Sequence, residues 1–350
     1  MSEFRIGDLR IGRQQPPVVI AELSGNHNGS LDRALEIVEA MAAAGAQALK
    51  LQTYTADTMT IDCDRPGFFI SDPDSLWKGH TLHALYQKAY TPWEWHQPLF
   101  ERARQLGMVA FSTPFDASAV DFLEKLDVPA YKIASFENAD LPLIRRVAAT
   151  GKPLIISTGM ANLTILEDAV TTARDAGCKD LMLLKCTSSY PASPLNSNLA
   201  TIPHMRELFG CEVGLSDHTL GMGAAVASVA LGAVAIEKHI TLSRSEGGVD
   251  ADFSLEPAEL RQMVDEMHRA WQAIGGVAYG PLAQERGSLI FRRSLYIVKD
   301  MAPGEVLTPD NLRAIRPGYG LPPKHLEMLI GKRVSRAVER GTPMSWDLLG

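Results

Sequence analysis

The chain has 350 residues, 46% of them hydrophobic and 21% charged, which suits one barrel-sized domain of roughly 250 residues with a smaller module attached. Its formal charge of −7 argues against a nucleic-acid partner, which calls for a basic face, and no apolar run is long enough to cross a bilayer. The opening MSEFRIGDLRIG lacks the apolar heart of a secretion signal, and Cys63, Cys178, Cys186 and Cys211 show no C-x-x-C spacing, so a cytoplasmic protein with reduced thiols and no membrane partner is expected.

From residue 18 to 274, short β-rich runs alternate with amphipathic stretches of helical length. The runs predict strands at 18–22, 48–52, 109–112, 130–133, 154–157, 181–185, 213–215 and 235–239. Between them lie helical stretches such as LDRALEIVEAMAAAG, closed by Gly45, and PWEWHQPLFERARQLG, opened by Pro92 and closed by Gly107. Eight strands alternating with eight helices is the count of a (β/α)8, or TIM, barrel. A doubly wound nucleotide-binding sheet would need G-x-G-x-x-G after the first strand, and ELSGNHNGS does not supply it. The stretch 54–90 is too long for an ordinary connection and reads as a functional lid. After AIGGVAYG the rhythm breaks into short alternating pieces (RSLYIVKD, KRVSRAV) punctuated by APGE and RPGYG. The expected organisation is therefore a barrel over 1–275, a linker over 276–290 and a small β-rich module over 291–350, marginal by itself.

Catalytic groups of such barrels project from the C-terminal ends of the strands. Here those ends carry Glu22, Lys50 with Gln52, Ser112–Thr113, Lys132 with Ser135 and Glu137, Ser157–Thr158, Lys185, Ser216–Asp217–His218, and Lys238–His239. Polar residues at strand ends are cheap, because ends meet solvent. Recurring lysines and hydroxyls on one rim of an acidic protein are harder to dismiss. Lys50 and Lys132 with Thr113, Ser135 and Ser157 have the make-up of a phosphate cradle, fixed positive charge beside hydroxyl donors. A single lysine forming a Schiff base is the alternative use of such a rim. His218 and His239, on successive strands, suit a divalent ion such as Mn²⁺ that keeps positions open for water or substrate oxygen. Closed structural zinc lacks its cysteines.

IAELSGNHNGS, LKLQTYTADT, FSTPFD, AYKIASFE, IISTGM, KCTSSYPA, GLSDHT, IEKHIT and RPGYG follow one another as they do in the sialic acid synthases, which this chain resembles from residue 18 to its C-terminus. AELS, KLQTYT, PWEWH, YKIASFE and LLKCTS are most similar to the pseudaminic acid synthase branch of that family. The resemblance implies a (β/α)8 barrel with a C-terminal antifreeze-like (SAF) domain. It implies condensation of phosphoenolpyruvate with an N-acetylated amino sugar, here 2,4-diacetamido-2,4,6-trideoxy-L-altrose, to give a nine-carbon keto acid, here pseudaminic acid, and phosphate. N-acetylneuraminate and legionaminic acid synthases are the alternatives within the family. A metal-dependent aldolase using free pyruvate and a non-catalytic binding module are the alternatives outside it.

Carried over motif by motif, the resemblance implies a phosphoenolpyruvate site of Lys50, Thr113, Lys132, Ser135, Ser157 and Ser216, with Ser188 replacing the usual asparagine. It implies a sugar site of Glu22, Gln52, Glu137, Tyr190 and Asp250, joined by Arg316 from the partner of a domain-swapped homodimer. His218 and His239 would hold the divalent metal, Mn²⁺ or else Mg²⁺ or Co²⁺, and with Glu22 as acid/base they form the catalytic set. Phe136 and Leu51 offer apolar surface for the sugar's methyl groups. Val249 stands where the family often has proline, and Gly25 where this branch usually has alanine.

Overall fold

The structure is a computed structural model that describes residues 4–73 and 75–350. The chain divides into two compact units, Met1–Gly275 and Gly276–Gly350. Residues 1–3 of the barrel assignment lie outside the described residues.

The first unit begins with an antiparallel hairpin, β1 (Phe4–Ile6) and β2 (Leu9–Ile11). Eight parallel strands follow and close into a barrel: β3 (Val18–Glu22), β4 (Ala48–Thr53), β5 (Val109–Pro114), β6 (Tyr131–Ile133), β7 (Leu154–Ser157), β8 (Leu181–Cys186), β9 (Glu212–Ser216) and β10 (Ala235–His239). Closure runs from Ala235 opposite Val18 to His239 opposite Glu22. Every strand expected from the sequence is present, three with the expected bounds and five with one or both ends shifted by one or two residues. The connecting helices begin where the chain supplies caps. Ser30 accepts the Arg33 amide to start helix Leu31–Ala43, and Asp116 accepts the Ser118 and Ala119 amides to start helix Ala117–Lys125. The stretch opened by Pro92 differs from expectation: Trp93–Trp95 form a 3₁₀ turn, and the α-helix proper is His96–Gln105.

Strand side chains alternate between the barrel interior and the helical shell. Val19, Ala21, Leu49, Leu51, Leu183, Val213, Leu215 and Ile236 belong to the large cluster shared with the helices. Their neighbours Val18, Ile20, Ala48, Phe111, Ala130, Ile155, Met182 and Leu184 form an inner cluster, and Phe4, Ile6 and Ile11 of the hairpin complete it. The hairpin, unread in the sequence, thus plugs the N-terminal end of the barrel. Towards the C-terminal end the same inward series turns polar: Glu22, Lys50, Lys132, Ser157, Ser216 and Glu237 are all buried. Gly214 in β9 leaves the room this crossing needs, since a Cβ there would overlap the Ala235 carbonyl oxygen.

The segment after β4 is not structureless. It holds helices Ala56–Met59 and Leu82–Ala89 and a bridge between Phe69 and Thr81. The second unit is less regular than expected of a β-rich module. One antiparallel pair, β11 (Ser294–Ile297) with β12 (Leu312–Ile315), is supplemented by isolated bridges such as Met301 with Val338. Leu295, Ile297, Leu312, Val334 and Met344 give it a core of its own.

Candidate active site

A cavity of about 420 Å³ opens at the C-terminal end of the barrel strands. Of the residues singled out in the sequence, Lys50, Gln52, Lys132, Ser135, Glu137, Ser157, Tyr190, Ser216, His218, His239 and Asp250 line it. Glu22, Thr113 and Ser188 do not, and Arg316 belongs to the second compact unit. Phe136 lines the cavity, whereas Leu51 does not: as the neighbour of inward-facing Lys50 and Gln52 it points outwards into the helical shell. Lys185 likewise turns away from the cavity and donates to the Cys186 carbonyl at 3.0 Å.

The cavity floor is a layer of paired charges. Both carboxylate oxygens of Glu237 in β10 accept from Lys132 Nζ, at 2.9 and 3.0 Å, and Glu237 lies 3.0 Å from Lys50 Nζ. Ser216 Oγ donates to the same carboxylate at 3.1 Å. Lys50 Nζ also meets Glu22 Oε2 at 2.7 Å, and Glu22 accepts the Ser24 amide. Glu22 is fully buried, opposite Lys50 in the register of β3 and β4. Glu237 was not singled out in the sequence. The signal was available: it stands two residues before His239 on one strand and must face the same way.

Burial opposes the charge on all four groups; pairing outweighs it for Glu237 and Lys50, and burial prevails for Lys132 and Glu22. Burial would raise Glu237, but Lys132 and Lys50 outweigh it and hold the carboxyl well below its ordinary range. Burial would lower Lys50, but Glu22 and Glu237 hold it above its ordinary value. Lys132 shares its carboxylate with a second cation, and burial brings it down to about 8. Burial also raises Glu22. On the wall above, burial with the nearby Asp140 pushes Glu137 up to about 7.

Several buried polar atoms around this layer have no partner: Ser157 Oγ, Thr113 Oγ1, Glu137 Oε2 and His239 Nδ1. Such atoms are rare in folded proteins, and here they are free to accept or donate to water, an ion or a ligand in the cavity. Ser135 Oγ accepts the Gly159 amide at 3.1 Å, and a Cβ at position 159 would overlap the Ser188 hydroxyl. The chain therefore packs three serine hydroxyls and a backbone amide beside Lys132.

His218 and His239 face each other with ring centroids 5.4 Å apart. Burial, with His218 and Lys50 nearby, holds His239 well below the usual histidine value, so its imidazole is neutral. His218 Nδ1 meets the Thr187 carbonyl at 3.1 Å; burial lowers this imidazole, but Cys186 and the carbonyl outweigh it and raise it above the usual histidine value, and in its neutral form the bond to Thr187 leaves the lone pair on Nε2. The same Nδ1 lies 3.9 Å from Cys186 Sγ; burial raises that thiol, and His218 outweighs it to bring the thiol to about 7. Among the described residues no group of three His, Cys, Asp or Glu is placed to hold a metal. The arrangement fits an ion that takes two imidazoles and completes its shell with water or substrate oxygen, and does not fit a closed structural site.

The rest of the wall is apolar. Met59, Ile70, Leu82 and Leu85 of the segment after β4 line it together with Phe115 and Phe136. Trp77 ties the segment down: its indole donates to the Val249 carbonyl at 2.7 Å, and its ring meets Tyr190 at 5.7 Å, which in turn meets His218 at 4.6 Å. Asp250, the next residue, accepts the Ser24 hydroxyl. The two positions unusual for the resemblance face one another: a Cβ on Gly25 would overlap Val249 Cγ2 and lie 2.9 Å from the Ala89 carbonyl oxygen.

Residues 37–279 match the NeuB family, and residues 292–350 match the SAF domain. The chain is 42% identical to the pseudaminic acid synthase of Helicobacter pylori, over 95% of its own length and 98% of the relative's. It is 43% identical to the pseudaminic acid synthase of Campylobacter jejuni, over 92% and 94% of the two lengths. Among solved structures, the N-acetylneuraminic acid synthetase of Leptospira borgpetersenii in complex with citrate superposes with a TM-score of 0.72 at 30% identity, covering 82% of this chain and 95% of that one.

Removing the shared carboxylate tests the charged layer. Glu237→Gln leaves two buried lysines with only Glu22 to balance them, and breaking such a pair costs about 3–5 kcal/mol. Urea unfolding near neutral pH is expected to show that loss. Because pairing depresses the folded pKa of Glu237 below 4.5, its contribution is full above that pH and fades as pH falls through the folded value. The gap between parent and variant should therefore narrow in acid. Equal stability at neutral pH would mean the two lysines do not depend on this carboxylate.

Proposed function

The chain belongs to the NeuB family, and we propose that it condenses phosphoenolpyruvate with 2,4-diacetamido-2,4,6-trideoxy-L-altrose and water to give pseudaminic acid and phosphate. The observation that carries the reading is the lysine layer with unsatisfied hydroxyls on the cavity floor, in a chain whose relatives at 42% and 43% identity are pseudaminic acid synthases. A free-pyruvate aldolase would leave that anion seat without a phosphate. A binding module would have no use for buried, paired ionisable groups.

Lys50, Lys132, Ser135, Ser157 and Ser216, which line the cavity, take the phosphate and carboxylate of phosphoenolpyruvate. As the anion arrives, the lysines turn charge from Glu237 and Glu22 towards it, which needs little movement because they already face the cavity. Gln52, Glu137, Tyr190 and Asp250 hold the open-chain sugar from the wall. A divalent ion on His218 and His239, Mn²⁺ in the first instance and Mg²⁺ or Co²⁺ as alternatives, would supply Lewis acidity to the sugar's aldehyde oxygen. The methylene carbon of phosphoenolpyruvate attacks the aldehyde carbon, and the cationic centre left at C2 takes up water. The resulting tetrahedral adduct expels phosphate by breaking its C–O bond while the lysines hold the leaving group's charge. Glu137 is better placed than Glu22 for the proton transfers: it lines the cavity, and a pKa of about 7 lets it hold or release a proton near neutrality. Glu22 acts from the neighbouring strand, as the partner that fixes Lys50.

The apolar wall supports the choice of sugar. Met59, Ile70, Leu82, Leu85 and Phe136 offer surface to the C6 methyl and the acetamido methyls. The protein works in the cytoplasm as a homodimer, in which the 291–350 module follows a linker over 276–290 and brings Arg316 to the partner's barrel. Within that linker Val277 and Tyr279 are strongly exposed, and Ala283–Phe291 form a 3₁₀ helix that runs into the module. No described helix is long and apolar enough to cross a membrane.

Phosphate release measured with phosphoenolpyruvate and each sugar tests the assignment. The 6-deoxy diacetamido sugar should exceed N-acetylmannosamine in kcat/KM by at least the factor of roughly 10–200 that an apolar contact supplies. Comparable values would remove the pseudaminic assignment and leave the synthase class. Mixing tests the shared module: a His218→Ala chain and an Arg316→Ala chain, each inactive alone, should regain activity when their dimers exchange. Mixed dimers as inactive as both parents would show that the module serves its own barrel.

A further inference from the structure

Lys238 is out of place in its strand. In β10 the inward series is Ala235, Glu237 and His239, and the outward series runs Ile236, Lys238, Ile240, where both isoleucines belong to the core shared with the helices. A lysine thus occupies a position whose neighbours on the same face are packed hydrophobes, and it is 0% exposed. Asp217 repeats the anomaly one strand away. Val213 and Leu215 of β9 pack outwards into the same core, and Asp217 follows in the next outward position, buried.

The two anomalies meet. Lys238 Nζ donates to Asp217 Oδ2 at 2.8 Å and also to the Thr219 carbonyl. Asp217 Oδ1 accepts the Thr219 amide at 2.9 Å. The paired residues of β9 and β10 end at Ser216 opposite Glu237, followed by a single bond from the Asp217 amide to the Glu237 carbonyl at 3.0 Å. Beyond that point the ladder stops and the side-chain pair replaces it. His218 and His239 are each the very next residue, on the opposite face. A slip of one residue between the two chains would turn one histidine out of the cavity.

Stability does not account for the pair. Burying two charges costs about as much as their attraction returns, and well-packed apolar residues of similar size serve as well or better. We infer that Asp217 and Lys238 are positioning residues, a buried clamp on the outer face of the barrel that sets His218 beside His239 for a divalent cation. The inference rests on the proposed metal site and adds the groups that align it. Residues that orient metal-binding side chains typically contribute ten- to a hundred-fold to affinity.

The test uses the full chain, stripped of metal, with free Mn²⁺ followed by electron paramagnetic resonance in the absence of substrate. Asp217→Asn with Lys238→Met removes both charges together, so neither is left buried alone, and the melting temperature should stay near the parent's. Mn²⁺ should nevertheless bind ten- to a hundred-fold more weakly. A folded double variant that binds within twofold of the parent overturns the clamp while the metal reading stands. If the double variant fails to fold, Asp217→Asn alone decides: it keeps an acceptor for Thr219 and loses the ion pair, and it should bind at least threefold more weakly, an unchanged affinity overturning the inference. A parent chain that binds Mn²⁺, Mg²⁺ and Co²⁺ no better than His239→Ala removes the metal reading itself, and the clamp with it.

Discussion

A single carboxylate, Glu237, held between two lysines inside a closed barrel is the interaction on which the rest of this site depends. An unpaired ammonium at that depth would carry a penalty of several kcal/mol, and two would repel one another. With Glu237 between Lys50 and Lys132, and Glu22 opposite Lys50, the layer matches two lysines with two carboxylates, so neither ammonium is buried without a partner. Balance also makes the layer a usable anion seat. The lysines are already desolvated and aimed upwards, so an arriving phosphate meets fixed donors and little reorganisation follows. Lys132, brought to about 8 by burial, is the more weakly held of the two cations and the one with most to gain from an added anion.

The alternation of strand side chains distributes every other task. Inward positions pass from an apolar plug, completed by the N-terminal hairpin, through the charged layer to the histidines and serines at the rim. Outward positions carry the packing that holds the strands in register, with Asp217 and Lys238 as the exception. Above the rim, the segment after β4 closes one side of the cavity with aliphatic and aromatic side chains, and Trp77 bolts it to the loop bearing Asp250. Gly25 and Val249 meet at that junction, so the two unusual residues read as one adjustment: the small residue makes room for the branched one.

Much of this was legible in the sequence. Short β-rich runs at even spacing predicted all eight strands, because buried parallel strands need continuous apolar faces and their helices need glycine stops. The rim residues followed from strand ends, and eleven of the fifteen singled out line one cavity. What the spacing did not convey was direction and partner. Lys185, Lys238 and Leu51 stand at strand ends and point away from the cavity, a matter of parity that composition at the rim does not reveal. Two lysines read as fixed positive charge are paired with carboxylates, because a buried cation requires a counter-ion, and these counter-ions, Glu22 and Glu237 for Lys50 and Glu237 for Lys132, are all distant in sequence. The hairpin plug was missed because six strand residues carry too short a period to read. The terminal module is less regular than expected, since isolated bridges leave no run of alternation.

The central claim is that the lysine layer holds phosphate as a leaving group while carbon–oxygen chemistry proceeds at C2. Phosphoenolpyruvate carrying ¹⁸O in the bridging position between C2 and phosphorus tests it most directly, with the products of a complete turnover analysed by mass spectrometry. The account predicts that the label leaves with the inorganic phosphate, because water adds at C2 and the C–O bond breaks. Label retained in the nine-carbon acid would mean that the phosphorus–oxygen bond is cleaved instead, and would contradict the role given to Lys50 and Lys132.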